Sequence, residues 1–431
     1  MHHNKKVNSP TVFMMSKVAK KIESGITINL AFLNKLLFVI TLVLFCSILN
    51  AQTSEQYSIK IEGIHGNILA CDTHIKELIK KPVTGGELSI EFQTMGEKSW
   101  HQFNAFPIVG VAAVYLNLGN PHKLGNAFAL YPYINYPLLR TSHLKLNLKA
   151  GVGMSYLTKT YYSTNKDSVG NTLAGLSGTN GAIGSAINVY FSGGGNIEIP
   201  ISKGLSLMAE YTWNHMSNGS VVTPNSGLNL LNTFIGLKYC PNYKNTHTPA
   251  KQYVEYIPRK FSLEFIAAGG VRQLYYKDNK SYPIASLSLA LYRPLSNFYR
   301  MGIGVDGFYD GVYNGKTQLE RTYITSDELK NKIRIGASWQ HEILFGHLTA
   351  GLGFGLYLYD PLKNLSPYNK AKKEAVHKPL IYKYNIEDED GWFYSRAVLK
   401  YSLSQHYFLS VALKNHLKKA EFIEWGIGYK F

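Results

Sequence analysis

The chain has 431 residues, a formal net charge of +17 and only 17% charged residues. Its 31 tyrosines and 38 glycines are unusual for a soluble domain with so small a share of charged residues. They are typical of a transmembrane β-barrel, which carries aromatic girdles outside and needs glycine where its interior is crowded.

Residues 1–51 predict a secretory signal peptide with an N-terminal extension. An apolar run from Leu36 to Leu49 follows a basic leader and ends at Asn50-Ala51-Gln52. The run is about 14 residues long, too short for a spanning helix, so we expect cleavage after Ala51. The first 51 residues hold six lysines and one acid, which leaves +12 on the mature chain. An exported chain of this charge meets anionic envelope lipids, so we expect no nucleic-acid partner.

Apolar and polar residues alternate in runs of ten or more residues. One row holds Leu144, Leu146, Leu148, Ala150, Val152, Met154 and Tyr156, and the opposite row holds Lys145, Asn147, Lys149, Gly151, Gly153 and Ser155. Side chains alternate across a strand, so each run predicts a tilted membrane strand with its apolar row towards lipid. The predicted strands lie near 57–70, 86–97, 108–118, 126–139, 143–158, 183–200, 204–218, 229–240, 260–276, 282–296, 299–313, 329–344, 347–360, 392–404, 406–417 and 421–431. The predicted fold class is therefore all-β, a transmembrane antiparallel β-barrel protein with about sixteen strands.

The predicted connections alternate between long and short. Long ones such as 159–182 and 361–391 suit extracellular loops, and short ones such as 345–346 suit periplasmic turns. This pattern predicts the outer membrane of a Gram-negative bacterium. The connection at 97–107 is predicted on the periplasmic side, and it is longer than the short turns expected there. The last strand closes on Phe431, which resembles the assembly signal of outer-membrane proteins, so the assembly machinery is an expected partner.

An internal duplication is predicted from two similar strand endings. Residues 234–239 resemble the C-terminal strand, and a polar segment with three prolines follows them at 241–259. We therefore predict an eight-stranded repeat within 52–240, a periplasmic linker at 241–259 and a second repeat within 260–431. Two tandem small barrels and one larger barrel both fit. The interior glycines and the long linker favour two, and the rarity of tandem barrels favours one.

The most informative motif is His215-Met216-Ser217-Asn218, at the outward end of the seventh strand. His215 and Ser217 continue the apolar row that contains Tyr211 and Trp213. Residues i and i+2 share one strand face, with Cα atoms roughly 6.5–7 Å apart. This spacing lets an imidazole reach a serine oxygen, as nucleophilic acyl transfer requires. An interfacial polar pair without catalytic function is the simpler alternative.

This motif, on the seventh strand of an eight-stranded unit, resembles the outer-membrane lipid A 3-O-deacylases, also called acyloxyacyl hydrolases. The resemblance covers about residues 57–240 and is sharpest over 210–239. It implies a serine esterase that acts on lipid A in the outer leaflet, with Ser217 as nucleophile and His215 as general base. It places Asn218 at the oxyanion hole, through its amide or its backbone N–H, with Gly219 and Asn225 beside it. Asn225 also suits a simple turn former. No metal or organic cofactor is implied.

The chain departs from the family at the third catalytic position. The family has a glutamate 14 residues after the histidine, where this chain has Asn229. An asparagine carbonyl can orient an imidazole but offers no full charge to the imidazolium, so we expect slower turnover. Glu210 cannot replace it, because its parity places it inside the barrel. A catalytically inactive relative and a transport channel remain alternatives.

Other polar residues favour structural roles. Lys145, Lys149 and Glu210 predict an ion-pair network in the lumen. His416 has inward parity and no serine at i+2, so the second repeat is predicted to be non-catalytic. Cys71 and Cys240 fall at opposite membrane faces, which predicts no disulfide between them, and no Cys/His cluster has zinc spacing.

Overall fold

The computed structural model describes residues 57–70, 73–166, 178–243, 260–274, 280–314, 327–363, 377–385, 390–416 and 419–431. The predicted signal peptide, Cys71 and residues 244–259 of the predicted linker lie outside this set. Cys240 is a free thiol. Among the described residues, no helix is long and apolar enough to cross a membrane.

The first eight strands close into one antiparallel barrel, because β1 pairs with both β2 and β8. Its strands are β1 Tyr57–Leu69, β2 Val83–Gln93, β3 Ile108–Asn117, β4 Asn126–Arg140, β5 Lys145–Leu157, β6 Ile187–Ser202, β7 Leu205–Ser217 and β8 Leu228–Tyr239.

The next eight strands close into a second antiparallel barrel, because β9 pairs with both β10 and β16. Its strands are β9 Ser262–Arg272, β10 Tyr282–Pro294, β11 Tyr299–Asp310, β12 Ile333–Phe345, β13 Leu348–Tyr359, β14 Phe393–Ser402, β15 Tyr407–His416 and β16 Lys419–Lys430. The all-β barrel class is confirmed, and of the two arrangements left open the chain adopts two small barrels.

Four short helices interrupt the described connections: α1 Thr73–Leu78, α2 Ser99–Phe103, α3 Tyr161–Thr164 and α4 Leu329–Lys332. Helix α4 occupies the start of the strand predicted at 329–344, which begins only at Ile333. Helix α2 fills the long connection at 97–107. There the Asn104 side chain donates to Leu344 O of the second barrel at 3.2 Å. The unusual length of this connection therefore has a physical reason, since it reaches the short-turn end of the other barrel.

The alternation predicted from the sequence is present in both barrels. The residues of β1 alternate strictly between exposed and buried, and the apolar ones on the outward row include Ile59 and Ile61. Large apolar side chains on this face would be costly in water and are favourable against lipid. The inward row of β5 shows why glycine is needed, because a Cβ at Gly151 would lie 2.7 Å from the Tyr131 ring.

Charged side chains fill the lumen of the first barrel. Lys149 Nζ lies 2.8 Å from Glu210 Oε2 and 3.1 Å from Glu87 Oε1, and Lys60 bonds to Glu210 as well. Lys145 pairs with Glu198 at 2.6 Å nearer the rim. Lys149 and Glu210 thus pair as predicted, whereas Lys145 belongs to a separate pair with Glu198. Tyr131, Tyr190 and Phe234 are buried in the same lumen. The channel hypothesis required one wide, water-lined barrel, and the chain forms two small closed barrels instead.

Removing Lys149 is expected to destabilise the first barrel. Its ammonium is fully buried between two carboxylates, so Lys149→Met leaves Glu87 and Glu210 with Lys60 as their one remaining ion-pair partner among the described residues and should cost about 3 kcal/mol. Lys145, whose side chain is 35% exposed, is the matched control, and Lys145→Met should cost at most about 1 kcal/mol. Urea unfolding in detergent, followed by tryptophan fluorescence, measures both. Equal losses for the two variants would contradict a lumen stabilised by buried ion pairs.

Candidate active site

The candidate site lies on the outer face of β7, at the end of the barrel that carries the long loops. Tyr211 and Trp213 are 58% and 39% exposed, whereas Glu210 and Met216 point into the lumen and are buried. His215 and Ser217 continue the outward row, as their parity predicts. His215 is half-buried and Ser217 is only 7% exposed.

His215 is oriented by its neighbour on β8. Asn229 lies directly opposite His215 in the β7–β8 register, and its Oδ1 is 2.8 Å from His215 Nδ1. Since an amide oxygen only accepts hydrogen bonds, this contact places the proton on Nδ1. Nε2 is then the nitrogen with a free lone pair, and it can accept a proton from a nucleophile.

The Ser217 hydroxyl oxygen faces the loop that follows β7. The Gly219 N–H donates to Ser217 Oγ at 3.1 Å, and Asn225 Nδ2 donates to it at 2.9 Å. Within the described residues, no hydrogen bond joins Ser217 to His215. The Ser217 hydroxyl is bonded to the loop instead. Catalytic hydrogen bonds often tighten only in the substrate complex.

Asn218 is engaged inside the loop. Its backbone N–H donates to Asn225 Oδ1 at 3.2 Å, and its Nδ2 donates to Ser185 Oγ at 2.8 Å and to Val222 O at 2.9 Å. The donors of Asn218 thus serve loop structure in this state. The two donors that reach Ser217 belong to Gly219 and Asn225, both of which the family resemblance places beside the expected oxyanion hole.

The imidazole of His215 is held between an aromatic ring and a glycine. Trp213 stacks on it with ring centroids 5.7 Å apart at 25°. Gly227 has φ +76°, and a Cβ there would lie 2.6 Å from His215 Cε1 and 3.2 Å from Nε2. Gly227 therefore has no room for a side chain, a constraint that sequence reasoning missed.

Both halves of the chain match models of known protein families. Residues 84–238 match the lipid A 3-O-deacylase (PagL) family, and residues 261–371 and 380–431 match the acyloxyacyl hydrolase C-terminal domain. Together these matches span well over half of the chain. The chain belongs to the family of lipid A 3-O-deacylases and acyloxyacyl hydrolases. It is accordingly an outer-membrane β-barrel of a hydrolase family.

Several solved barrels are similar in structure. The outer-membrane enzyme PagL has 16% identity and a TM-score of 0.26, over 42% of this chain and 98% of that chain. A designed transmembrane β-barrel has 15% identity and a TM-score of 0.22, over 44% and 98%. A triple mutant of the Rhodopseudomonas blastica porin has 9% identity and a TM-score of 0.18, over 87% and 100%. No curated protein matches the chain.

Among the described residues, the second family domain has no equivalent pair at the end of β15. His416 points inwards and is buried, with Nε2 2.8 Å from Glu421 Oε2 and Nδ1 3.0 Å from Phe393 O. Lys414 and Arg334 also bond to Glu421, so this carboxylate already has cationic partners. The cluster has the character of a buried ion-pair network.

Proposed function

We propose that the chain is an outer-membrane serine esterase that hydrolyses an ester-linked acyl chain of lipid A. The observation that carries the proposal is the His215–Asn229 contact beside Ser217, on a lipid-facing strand of a lipid A deacylase fold. An imidazole fixed through Nδ1, two residues from a serine on the same face, is the arrangement that acyl transfer needs.

In the proposed mechanism, Ser217 Oγ attacks the carbonyl carbon of the ester. His215 Nε2 takes the hydroxyl proton as the new C–O bond forms. The tetrahedral intermediate collapses when the bond to the sugar oxygen breaks, and the imidazolium returns the proton to that oxygen. Water, deprotonated by the same nitrogen, then releases the fatty acid and restores Ser217.

The loop supplies the donors for the developing oxyanion. The Gly219 N–H and Asn225 Nδ2 already lie within 3.1 Å of Ser217 Oγ. When Ser217 turns towards His215 to attack, both donors become available to the negative oxygen that forms next to it. Fixed donors of this kind are worth about 10²–10³ in kcat each.

The position of the pair along the strand supports a membrane-bound substrate. The eight steps from Leu205 to Trp213 span roughly 19 Å of height at a 45° tilt, most of an apolar band of about 25 Å. His215 and Ser217 would then lie at the lipid–water interface, at the long-loop end. In the expected orientation this is the outer leaflet, where the ester bonds of lipid A are found.

The substrate class can be tested with defined vesicles. Purified protein is incubated with vesicles that contain lipid A and, separately, with vesicles of phospholipid alone. We expect release of a hydroxy fatty acid from the first and little release from the second. Rapid phospholipid hydrolysis without attack on lipid A would contradict the proposed substrate.

Asn229→Asp is expected to accelerate the reaction about tenfold, because a carboxylate of the same length offers the imidazolium a charge that the amide lacks. Initial rates of fatty-acid release measure the effect. Asn229→Leu, which can accept no hydrogen bond, is the opposite control and should be slower than the wild type. An Asn229→Asp rate no higher than background would favour the inactive-relative hypothesis.

A further inference from the structure

The second barrel contacts the loop that follows Ser217. This site loop, residues 218–227, carries the Gly219 N–H and Asn225, the two donors to Ser217 Oγ. Its conformation includes two consecutive residues with positive φ, Gly219 at +60° and Ser220 at +66°. Such a backbone is costly for a non-glycine residue and persists only where its surroundings hold it.

Gln273, just beyond β9 in the second barrel, binds this loop through both its backbone and its side chain. The Gln273 N–H donates to Ser220 O at 2.8 Å, and Gln273 Oε1 accepts from the Thr223 N–H at 2.9 Å. Gln273 and Thr223 are both buried. A buried hydrogen bond between a side chain and a backbone N–H is costly to leave unmade, so it fixes the position of the loop.

Strand β16 provides a second contact. Ser220 Oγ donates to Ala420 O at 3.0 Å. The outward side chain of Ile423 packs so closely on Gly219 that a Cβ at Gly219 would lie 2.4 Å from Ile423 Cγ1. The second barrel therefore makes an apolar contact with Gly219 and polar contacts with Ser220.

We propose that the second barrel acts as a positioning domain for the active site of the first, with Gln273 and Ile423 holding the site loop so that Gly219 and Asn225 face the reacting oxygen. This inference rests on the proposed function. It gives the second barrel a role that requires no catalytic residues of its own. Gln273 is a positioning residue, because it acts on the reaction through the loop.

The test compares Gln273→Leu, Gln273→Glu and Ile423→Ala in the full-length protein. Gln273→Leu keeps the size of the side chain but removes the acceptor, and should lower kcat about tenfold to a hundredfold with KM within about twofold. Gln273→Glu retains an oxygen acceptor for the Thr223 N–H, so its kcat should be close to that of the wild type. Ile423→Ala should also lower kcat, and it tests the proposal independently if Gln273→Leu does not fold. Amide exchange of residues 218–227 should accelerate in Gln273→Leu and Ile423→Ala.

Two matched controls separate positioning from general damage to the second barrel. Gln405→Leu changes an exposed glutamine in the turn before β15, and Ile427→Ala changes an exposed isoleucine on the outward row of β16. Both should keep the wild-type kcat and loop exchange. Wild-type kcat and exchange in both Gln273→Leu and Ile423→Ala would overturn the positioning role while leaving the proposed function intact. An inactive wild-type protein would overturn both.

Discussion

Ser217→Ala is expected to lower the rate of fatty-acid release by about 10³-fold or more, because it removes the atom that forms the acyl-enzyme. The barrel should remain folded, since the hydroxyl bonds only to Gly219 and Asn225 within the described residues. Binding contacts and oxyanion donors remain in place, so a small residual rate above water is compatible with the mechanism. Steady-state kinetics on lipid A vesicles measure the loss in kcat and KM.

The control for this variant is another serine beside a histidine. Ser142 Oγ lies 2.9 Å from His143 Nδ1 in the exposed turn between β4 and β5. Unlike Ser217 and His215, these two side chains are hydrogen-bonded to each other, but they lie at the opposite end of the barrel from the candidate site. Ser142→Ala should keep the wild-type rate. A comparable loss in this variant would show that the effect does not arise at Ser217.

Gly227→Ala is expected to lower kcat about 10²-fold without replacing any of the proposed catalytic residues. The new methyl would overlap His215 Cε1 and displace the imidazole from its bond to Asn229. A displacement of about 1 Å at a catalytic group costs rates of this order. KM should change little, since the lipid-facing surface stays the same. Steady-state kinetics on the same lipid A vesicles as for Ser217→Ala measure kcat and KM.

Gly178→Ala separates displacement of His215 from backbone strain. Gly178 also has positive φ, at +66°, but a Cβ there would have no atom of a described residue within 4 Å. Both variants therefore introduce a similar conformational cost, roughly 1 kcal/mol, and only Gly227→Ala introduces a clash. Equal activities in the two variants would contradict the role of Gly227 as a support for His215.

Strand positions could be predicted because lipid and a filled lumen demand opposite chemistry on opposite faces. The strand expected at 204–218 is β7 Leu205–Ser217, and the strand expected at 347–360 is β13 Leu348–Tyr359. The number of barrels could not be decided this way, since one wide barrel and two small ones share the same alternation. The pairing of β1 with β8, with Ile61 opposite Leu237, decides it.

The neighbourhood of the site could be predicted only where strand geometry or the family resemblance links residues. Parity placed His215 and Ser217 outside, and the resemblance, which expects a glutamate 14 residues after the histidine, pointed to Asn229, the cross-strand neighbour of His215. The hydrogen bonds that Asn218 makes within the loop depend on the conformation of that loop. The alternation of apolar and polar residues does not predict this conformation. The contact from Gln273 joins residues 50 positions apart in different barrels, and no local pattern signals it.

The most direct test of the proposed enzyme is the mass spectrum of lipid A after incubation with the wild-type protein and with Ser217→Ala in identical vesicles. We expect the wild type to convert lipid A into a species lighter by one acyl chain, with the matching hydroxy fatty acid released, and Ser217→Ala to leave lipid A intact. The same loss of an acyl chain in both samples would contradict Ser217 as the nucleophile. An unchanged spectrum in both samples would contradict the deacylase itself.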